Sequence, residues 1–596
     1  MVQLKYKSPK LMDQNTIYLN FKKNVITYPS NTALAYIENG NYRKISYKSL
    51  NENILKLVSY FVENKLQKGD KVVIFSENRW EWPTVDLACN YLGLILVPIH
   101  TTYGTKYIDY IISQTKPKII FISNDKLLNV FYGIDEHLID DLQIISFDKV
   151  EKENVKYFDD ILKVENNKKI EPINDKNLVT TIIYTSGTTD MPKGAVLTNY
   201  NILSNIENVL KYTPTCSNDI FFSFLPLSHV LERVAGQFLP LVSGVSIYYS
   251  RSPKTLIDDI KLAKPTVIIS VPRIFEKIFD KIHDNLRSDS KFKNNLFYFA
   301  IKNQSKLNSL KRHNKKINFF LLILCGILDK IVFRKIRNIF GGNLRLAISG
   351  GSSLDKRIAR FFEDVGIKII EGYGVTETSP IISVNKTNEY KLGTVGFVLE
   401  NLEVKINNDK EILVRGSSVM KEYYNDKEST EKVIDTDGWF YTGDLGFLDK
   451  DGFLNIIGRK KEVIVLSTGK NVVPGNIELV LNYDKYINQS IVIGNNEKFL
   501  IALIVPDFEE IEKYCSLNNI AVDNEKSYLN LDKIQIFYRD RINNLLKGFS
   551  RYEQIVHFYL VSRQFDEKHD ELTPTLKIKR ETIIEHFNKI IRSFYN

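Results

Sequence analysis

Short apolar runs rich in β-branched residues recur along the first 380 positions, separated by segments with helical spacing. Lys71–Phe75 (KVVIF) is one such run, residues 82–92 carry apolar positions at helical intervals, and Ile95–Ile99 is extended again. The signature returns at 118–123, 179–184, 245–249, 266–270 and 344–349. Strands apolar on both faces belong to buried parallel sheets, covered by helices on each side. Leu354, Ile358, Phe361, Phe362 and Val365 then repeat at helical spacing, with Ser353 placed as a possible N-cap. The alternation predicts an α/β class with doubly wound sheets in a large N-terminal domain.

The texture changes after about residue 391. Residues 403–406 and 411–415 flank Asn407-Asn408-Asp409, and 447–448 and 453–457 flank Asp449-Lys450-Asp451-Gly452. Polar turn clusters between short apolar runs predict hairpins, hence an antiparallel β subdomain. Beyond Gly458 comes a run of charge, Arg459-Lys460-Lys461-Glu462, then a smaller α+β region with strands expected at 490–493 and 499–505. The expected division is a large domain over 1–460 and a small, mobile C-terminal domain over 461–596.

Composition narrows the class. Of 596 residues, 43% are hydrophobic and 26% charged, which fits a folded globular chain rather than a disordered one. Lys and Arg exceed Asp and Glu by 81 to 71; this mild excess suits anionic ligands without singling out nucleic acid. Cys89, Cys216, Cys325 and Cys515 are scattered, which favours a reducing compartment. The eight histidines form no HExxH or Cys/His cluster, so a zinc site is not expected. The first ten residues lack the apolar core of a signal peptide, and the apolar run Phe319–Leu328 is too short to span a bilayer.

Candidate chemistry starts at residues 184–194, Tyr-Thr-Ser-Gly-Thr-Thr-Asp-Met-Pro-Lys-Gly. Small residues let backbone N–H groups approach phosphate oxygens, hydroxyls add donors, and lysine adds charge. A Walker A loop needs Gly-Lys-Ser/Thr opening a helix. Here Lys193 is followed by Gly194 and a strand-like segment, so that reading fails. In isolation the loop is an ordinary Ser/Thr/Gly surface turn. Its length and order resemble the phosphate loop of the AMP-forming acyl-CoA synthetases, the adenylate-forming enzymes, with Asp190 in place of a glycine.

The resemblance extends over roughly residues 30 to 580. Ser186, Gly187, Thr188, Thr189 and Lys193 match the loop, and Thr185 opens it. Residues 371–377, Glu-Gly-Tyr-Gly-Val-Thr-Glu, resemble the segment in which Tyr373 would stack on adenine, Gly372 and Gly374 would belong to the nucleotide site, Thr376 would meet the α-phosphate, and Glu377 would hold Mg²⁺ with Thr185. Gly351, after Ser349-Gly350, would border the adenine and acyl sites. Asp444 in Tyr-Thr-Gly-Asp matches the carboxylate that accepts both ribose hydroxyls, and Arg459 would contact ribose and phosphate. Lys461 falls at the family's hinge. Residues 572–580, Leu-Thr-Pro-Thr-Leu-Lys-Ile-Lys-Arg, resemble the final motif, with Lys577 as the adenylating lysine and Lys579 as a neighbouring candidate. Gly469 and Lys470 lie in the turn that would approach the pantetheine of CoA.

Two further stretches, residues 225–233 (LPLSHVLER) and 271–276 (VPRIFE), resemble the long-chain members, and His229 would sit near the acyl carboxylate. The implied activity is a ligase. A long-chain fatty acid reacts with ATP to give acyl-AMP and pyrophosphate, and CoA then takes the acyl group. ATP, Mg²⁺ and CoA are the implied cofactors or substrates. No enzyme nucleophile is required, in keeping with the lack of a recognisable triad.

Rival readings remain open at this point. A synthetase acting on acyl carrier protein, or a fatty acyl-AMP ligase, shares the first half-reaction. A silent ATP-binding scaffold would lack a metal ligand or the lysine, yet Thr185, Lys193, Glu377, Asp444, Arg459 and Lys577 are all present. Residues 306–337 hold nine Lys/Arg against one acid, Asp329, a net of +8 around the apolar run 319–328. Basic residues around an apolar stretch suit either an interfacial anchor on anionic lipid or a buried helix with a solvated flank. A nucleic-acid role fits less well, because aromatic residues there are limited to Phe319, Phe320 and Phe333. The expected setting is cytoplasmic, with peripheral contact at the inner face of the membrane.

Overall fold

The computed structural model describes residues 14–163, 170–185, 191–288, 290–312, 315–524, 526–566, 568–572 and 578–595. Two compact units emerge. The first comprises Met1–Lys405, Leu413–Tyr441 and Leu448–Asn455; the second comprises Ile406–Ile412, Thr442–Phe447 and Ile456–Asn596.

The first unit is built on two large sheets with parallel centres. In the eight-stranded sheet, Lys71–Phe75 lies between Ile95–Ile99 and Ile119–Ile122, parallel to both. Val72, Val73, Ile74 and Phe75 are wholly buried, as expected for a strand covered on both faces. In the nine-stranded sheet the parallel core runs through Ser246–Tyr249, Ile220–Ser223, Val267–Ser270, Leu346–Ser349 and Ile369–Gly374. The sequence pattern reads most of these centres but misses Ile220–Ser223, Ile369–Gly374 and the antiparallel margins. Lys193–Thr198 returns antiparallel to Val179–Thr185, and Ile381–Val384 returns antiparallel to Ile369–Gly374. The second reversal follows the single turn Thr376–Thr378, directly after the strand that carries Gly372, Tyr373 and Gly374.

Helices begin where side chains satisfy their free N–H groups. Thr198 and Asn201 form a reciprocal capping box at the start of Asn199–Tyr212. The helix expected after Ser353 runs Lys356–Asp364, and its cap is Asp355, whose carboxylate accepts the Arg357 N–H. Ser353 precedes the turn by too much to reach it.

In the second unit, Ile487–Ile493 and Leu500–Pro506 pair antiparallel, and Ile555–Leu560 joins parallel to the latter. Leu500, Ala502 and Ile504 face one core with Ile477 and Tyr538, while Ile501, Leu503 and Val505 face another with Ile583. That two-sided burial is the period-two alternation of a strand. The four cysteines are free thiols. Among the described residues, no helix is long and apolar enough to cross a membrane.

Candidate active site

Val179–Thr185 is a buried strand that ends at Thr185, and its antiparallel partner sets Lys193 opposite it. The Thr185 hydroxyl donates to the Lys193 carbonyl at 3.4 Å. Gly194 permits this close return, since a Cβ there would come within 2.7 Å of the Ile182 side chain. Ser186, Gly187, Thr188 and Thr189, assigned to the phosphate loop by resemblance, lie outside the described residues, as does Asp190.

The Lys193 ammonium donates to the Ser429 hydroxyl at 2.7 Å and sits 5.4 Å from the centre of the Tyr423 ring. Tyr423 is held beside it by pairing of Glu422–Tyr423 with Val196 and Ala195. The Tyr423 hydroxyl donates to Glu377 Oε1 at 2.7 Å, and the Met420 N–H donates to the Glu377 carbonyl at 2.7 Å. Glu377 itself rides on the single turn Thr376–Thr378, which packs against the strand bearing Lys193. Lys193 and Glu377 are therefore linked through one tyrosine. Tyr423 and Ser429 escape sequence reasoning, because Tyr423-Tyr424 and Ser429 sit in an unremarked polar stretch. The pairing that gives Tyr423 its place is visible only in three dimensions.

Thr376, Tyr373 and the two neighbouring glycines share this unit. Tyr373 is half-buried and pairs with Ser383. Gly374 has no room for a side chain: a Cβ would stand 1.8 Å from the Pro380 carbonyl oxygen. Gly372 is looser, with the nearest atom 3.4 Å from such a Cβ. Gly351 has φ +85°, a left-handed backbone directly after the strand Leu346–Ser349. Below them, Glu371 is buried and accepts N–H groups of Leu354 at 3.2 Å and Gly393 at 3.1 Å, tying two flanking loops together. Burial pushes its carboxyl up to about 7, against the opposing pull of those two N–H donors.

His229 is half-buried, and its Nδ1 accepts the Leu231 N–H at 3.3 Å, which leaves the ring proton on Nε2 in this arrangement. In the same motif Arg233 is wholly buried. It pairs with Asp86 at 2.6 Å and donates to the Thr181 hydroxyl at 2.6 Å. Arg233 thus bridges the helix Glu81–Leu92, through Asp86, to the strand that carries Thr185, through Thr181. Glu232 beside it is also fully buried, and burial pushes its carboxyl up to about 8.

In the second unit, Asp444 is buried and receives Arg459 Nε at 2.9 Å. Gly443, within the strand Phe440–Leu448, has φ +70°, and its N–H donates to Glu411, which also pairs with Lys460 at 2.9 Å. Lys461 is exposed in the turn Lys460–Glu462 that follows the strand Leu454–Arg459. Gly469, at φ +75°, and Lys470 close the tight turn between Ile464–Val465 and Asn471–Val472, and the Lys470 ammonium lies 5.9 Å from the Tyr552 ring centre. Lys577 lies outside the described residues. Its neighbour Lys579 is ion-paired with Asp570.

The donor set suits a hard divalent cation. Glu377 offers a carboxylate steadied at one oxygen, and Thr185 offers a hydroxyl; Mg²⁺ takes such oxygen ligands together with phosphate oxygens.

The chain matches the family of AMP-binding enzymes over residues 21–424, and the AMP-binding enzyme C-terminal domain over 461–596. It is 34% identical to the long-chain-fatty-acid–CoA ligase FadD15 of Mycobacterium bovis, over 89% of this chain and 89% of that protein. It is 31% identical to long-chain-fatty-acid–CoA ligase 5 of Mus musculus, over 98% and 89% respectively. The adenylation domain of a carboxylate reductase from Mycobacterium chelonae shares the fold, with TM-score 0.78 at 21% identity, over 99% of this chain and 92% of that one. On this similarity and these motifs, the chain belongs to the AMP-binding enzymes, as one of the AMP-forming long-chain acyl-CoA synthetases.

Proposed function

We propose that this protein activates long-chain fatty acids with ATP and passes the acyl group to CoA. The carboxylate oxygen attacks the α-phosphorus of ATP, the bond to the leaving pyrophosphate breaks, and acyl-AMP forms. The CoA thiolate then attacks the acyl carbon and AMP departs. The reading is carried by likeness to long-chain-fatty-acid–CoA ligases across 89% and 98% of this chain.

The first step brings one anion against another, so countercharge controls its rate. Lys193 serves the phosphates, with Ser429 and Tyr423 fixing its direction. Mg²⁺ held by Glu377 and Thr185 would supply further countercharge to the phosphate oxygens. Thr376 and the loop 186–189 donate hydrogen bonds to phosphate. Tyr373 stacks on adenine between the backbone of Gly372, Gly374 and Gly351. Asp444 accepts the ribose hydroxyls, and Arg459 orients Asp444 while reaching ribose and phosphate. His229 directs Nε2–H to the acyl carboxylate.

Lys577 completes the adenylating charge and belongs to a C-terminal domain over 461–596, joined to a large domain over 1–460. The separate family match starting at 461 supports that division. Rotation about Lys461 would withdraw Lys577 after adenylation and present the turn Gly469-Lys470 to the pantetheine arm.

The site of work is the cytoplasm, with peripheral contact at the inner face of the membrane. Phe319 and Phe320 are 69% and 79% exposed, and Leu322, Ile323, Ile327 and Ile331 are exposed with them. Lys315, Lys316, Lys330, Arg334 and Lys335 surround them at the surface. An apolar helix flanked by cations suits the boundary of an anionic bilayer.

The decisive assay follows pyrophosphate release and thioester formation by the full chain, across short to very long fatty acids. CoA and acyl carrier protein are compared as acceptors. Thioester to CoA from long acids is the expected result. Pyrophosphate release with transfer only to carrier protein would assign the rival acceptor instead.

A further inference from the structure

Three helices of the first unit, Pro272–Ser288, Lys291–Arg312 and Lys356–Asp364, enclose an open cleft of about 390 Å³. Each contributes a pair of residues one turn apart: Phe279 with His283, Ile301 with Ser305, and Lys356 with Arg360. Residues one turn apart share a helix face, so the cleft is formed by three facing stripes. Its floor is aromatic. The Phe279 and Phe361 rings meet edge to face at 4.8 Å, and His283 packs 4.3 Å from Phe279 and 5.4 Å from Phe361.

The rim has the opposite character. Lys356, Arg357 and Arg360 are all exposed at the cleft edge. Arg357 is engaged by Asp355 at 2.6 Å. Among the described residues, Lys356 and Arg360 have no ion-pair partner. The one lining acid, Asp364, is buried and accepts from Asn308 at 2.8 Å, and Lys356, Arg357 and Arg360 against this single acid leave the lining net positive. Ligand clefts of roughly 300–1,000 Å³ that pair an apolar wall with a few convergent polar groups are the usual form of small-molecule sites.

We propose that this cleft is a second binding site for a long-chain fatty carboxylate, separate from the residues assigned to adenylation. The acyl chain lies over Phe279, Ile301 and Phe361, and the carboxylate meets Lys356 and Arg360. Charge complementarity selects an anion, and the aromatic floor takes an apolar chain. The helix Lys291–Arg312, which supplies Ile301, also packs against the exposed apolar helix Phe319–Leu328. A fatty acid leaving the bilayer beside that helix would meet the cleft. This last role rests on the membrane reading above, whereas the binding itself does not.

The test fills the catalytic site of the full chain with a non-hydrolysable acyl-sulfamoyl adenylate and then titrates palmitate by calorimetry. One further equivalent is expected. It should weaken about tenfold or more in Lys356→Glu/Arg360→Glu, where both cations are inverted. Ile301→Trp fills the cleft without touching charge and should also abolish it, with circular dichroism confirming that both variants fold. Absence of a second equivalent, or one that survives in both variants, overturns the proposal. So does binding to anionic phospholipid vesicles that is lost in these variants while palmitate binding is unchanged. Failure of the adenylate mimic itself to bind would count against the ligase reading and not against the cleft, which is then titrated with palmitate alone.

Discussion

The hydroxyl of Tyr423 points its proton at Glu377, 2.7 Å away, while its ring face lies 5.4 Å from the Lys193 ammonium. One side chain thus steadies both an anion and a cation of the proposed nucleotide site. Removing the hydroxyl in Tyr423→Phe keeps the ring contact and frees the carboxylate. Supporting partners of metal ligands are typically worth about 10–100-fold in affinity or activity. The expected result is a weaker affinity for Mg²⁺, read as a raised half-saturation concentration in a magnesium titration. Direct binding of Mn²⁺ with nucleotide, followed by electron paramagnetic resonance, should weaken in parallel.

Lys577→Ala should block acyl-AMP formation and spare the second half-reaction. Supplied acyl-AMP and CoA should still yield acyl-CoA at near the parental rate. Loss of one well-placed charged contact costs about 10²–10³ in rate. Equal loss of both half-reactions would show that the lysine is not confined to adenylation.

Glu232 should leave a mark on stability against pH. Burial raises its folded carboxyl to about 8, whereas an unfolded glutamate titrates near 4.3. Between those values the unfolded chain releases a proton that the folded chain keeps. Stability from this group is therefore full below about pH 4.3 and falls as pH rises towards 8, at a slope of at most about 1.4 kcal/mol per pH unit. Glu232→Gln should flatten that part of the profile in chemical denaturation measured from pH 5 to 8. Glu371, raised to about 7, adds a slope of the same sign, which persists in the variant.

Gly374→Ala should be poorly tolerated. The new methyl would overlap the Pro380 carbonyl oxygen, 1.8 Å away, so the turn carrying Glu377 must shift. A cost of about 3 kcal/mol or more is expected from such a backbone clash. Gly372→Ala, whose methyl meets nothing closer than 3.4 Å, provides the control. Thermal melts of the two variants compare them directly.

Vesicle binding should separate charge from insertion. Exchange of Lys315, Lys316, Arg334 and Lys335 for Glu should abolish co-sedimentation with phosphatidylglycerol vesicles at low salt. Phe319→Ser/Phe320→Ser should weaken it at every salt concentration, because apolar contact is not screened. Unchanged sedimentation in both variants would remove this segment from any membrane role.

Much of the fold is legible because buried parallel strands announce themselves by composition. Lys71–Phe75 and Ile95–Ile99 are found at their predicted limits. Edge strands are harder: Glu422–Tyr423 is two residues long and owes its existence to a partner over two hundred positions upstream. The capping residue Asp355 is hidden for another reason, since Ser352, Ser353 and Asp355 all have capping chemistry and only backbone geometry selects among them. In the site, motif residues such as Thr185, Lys193 and Glu377 are readable as chemistry, yet the tyrosine joining two of them is not. A hydroxyl acting on a neighbour through a hydrogen bond carries no spacing signature of its own.

The buried pair Arg233–Asp86 joins positions 147 apart in the chain. Anyone who grafts residues 225–233 of this chain into a relative to alter acyl preference would carry the arginine without its counterion. A recipient lacking an acid at position 86 would then enclose a bare guanidinium, at a cost of several kcal/mol. Chimeras of this enzyme therefore need position 86 exchanged together with the motif, although the two look unrelated in an alignment.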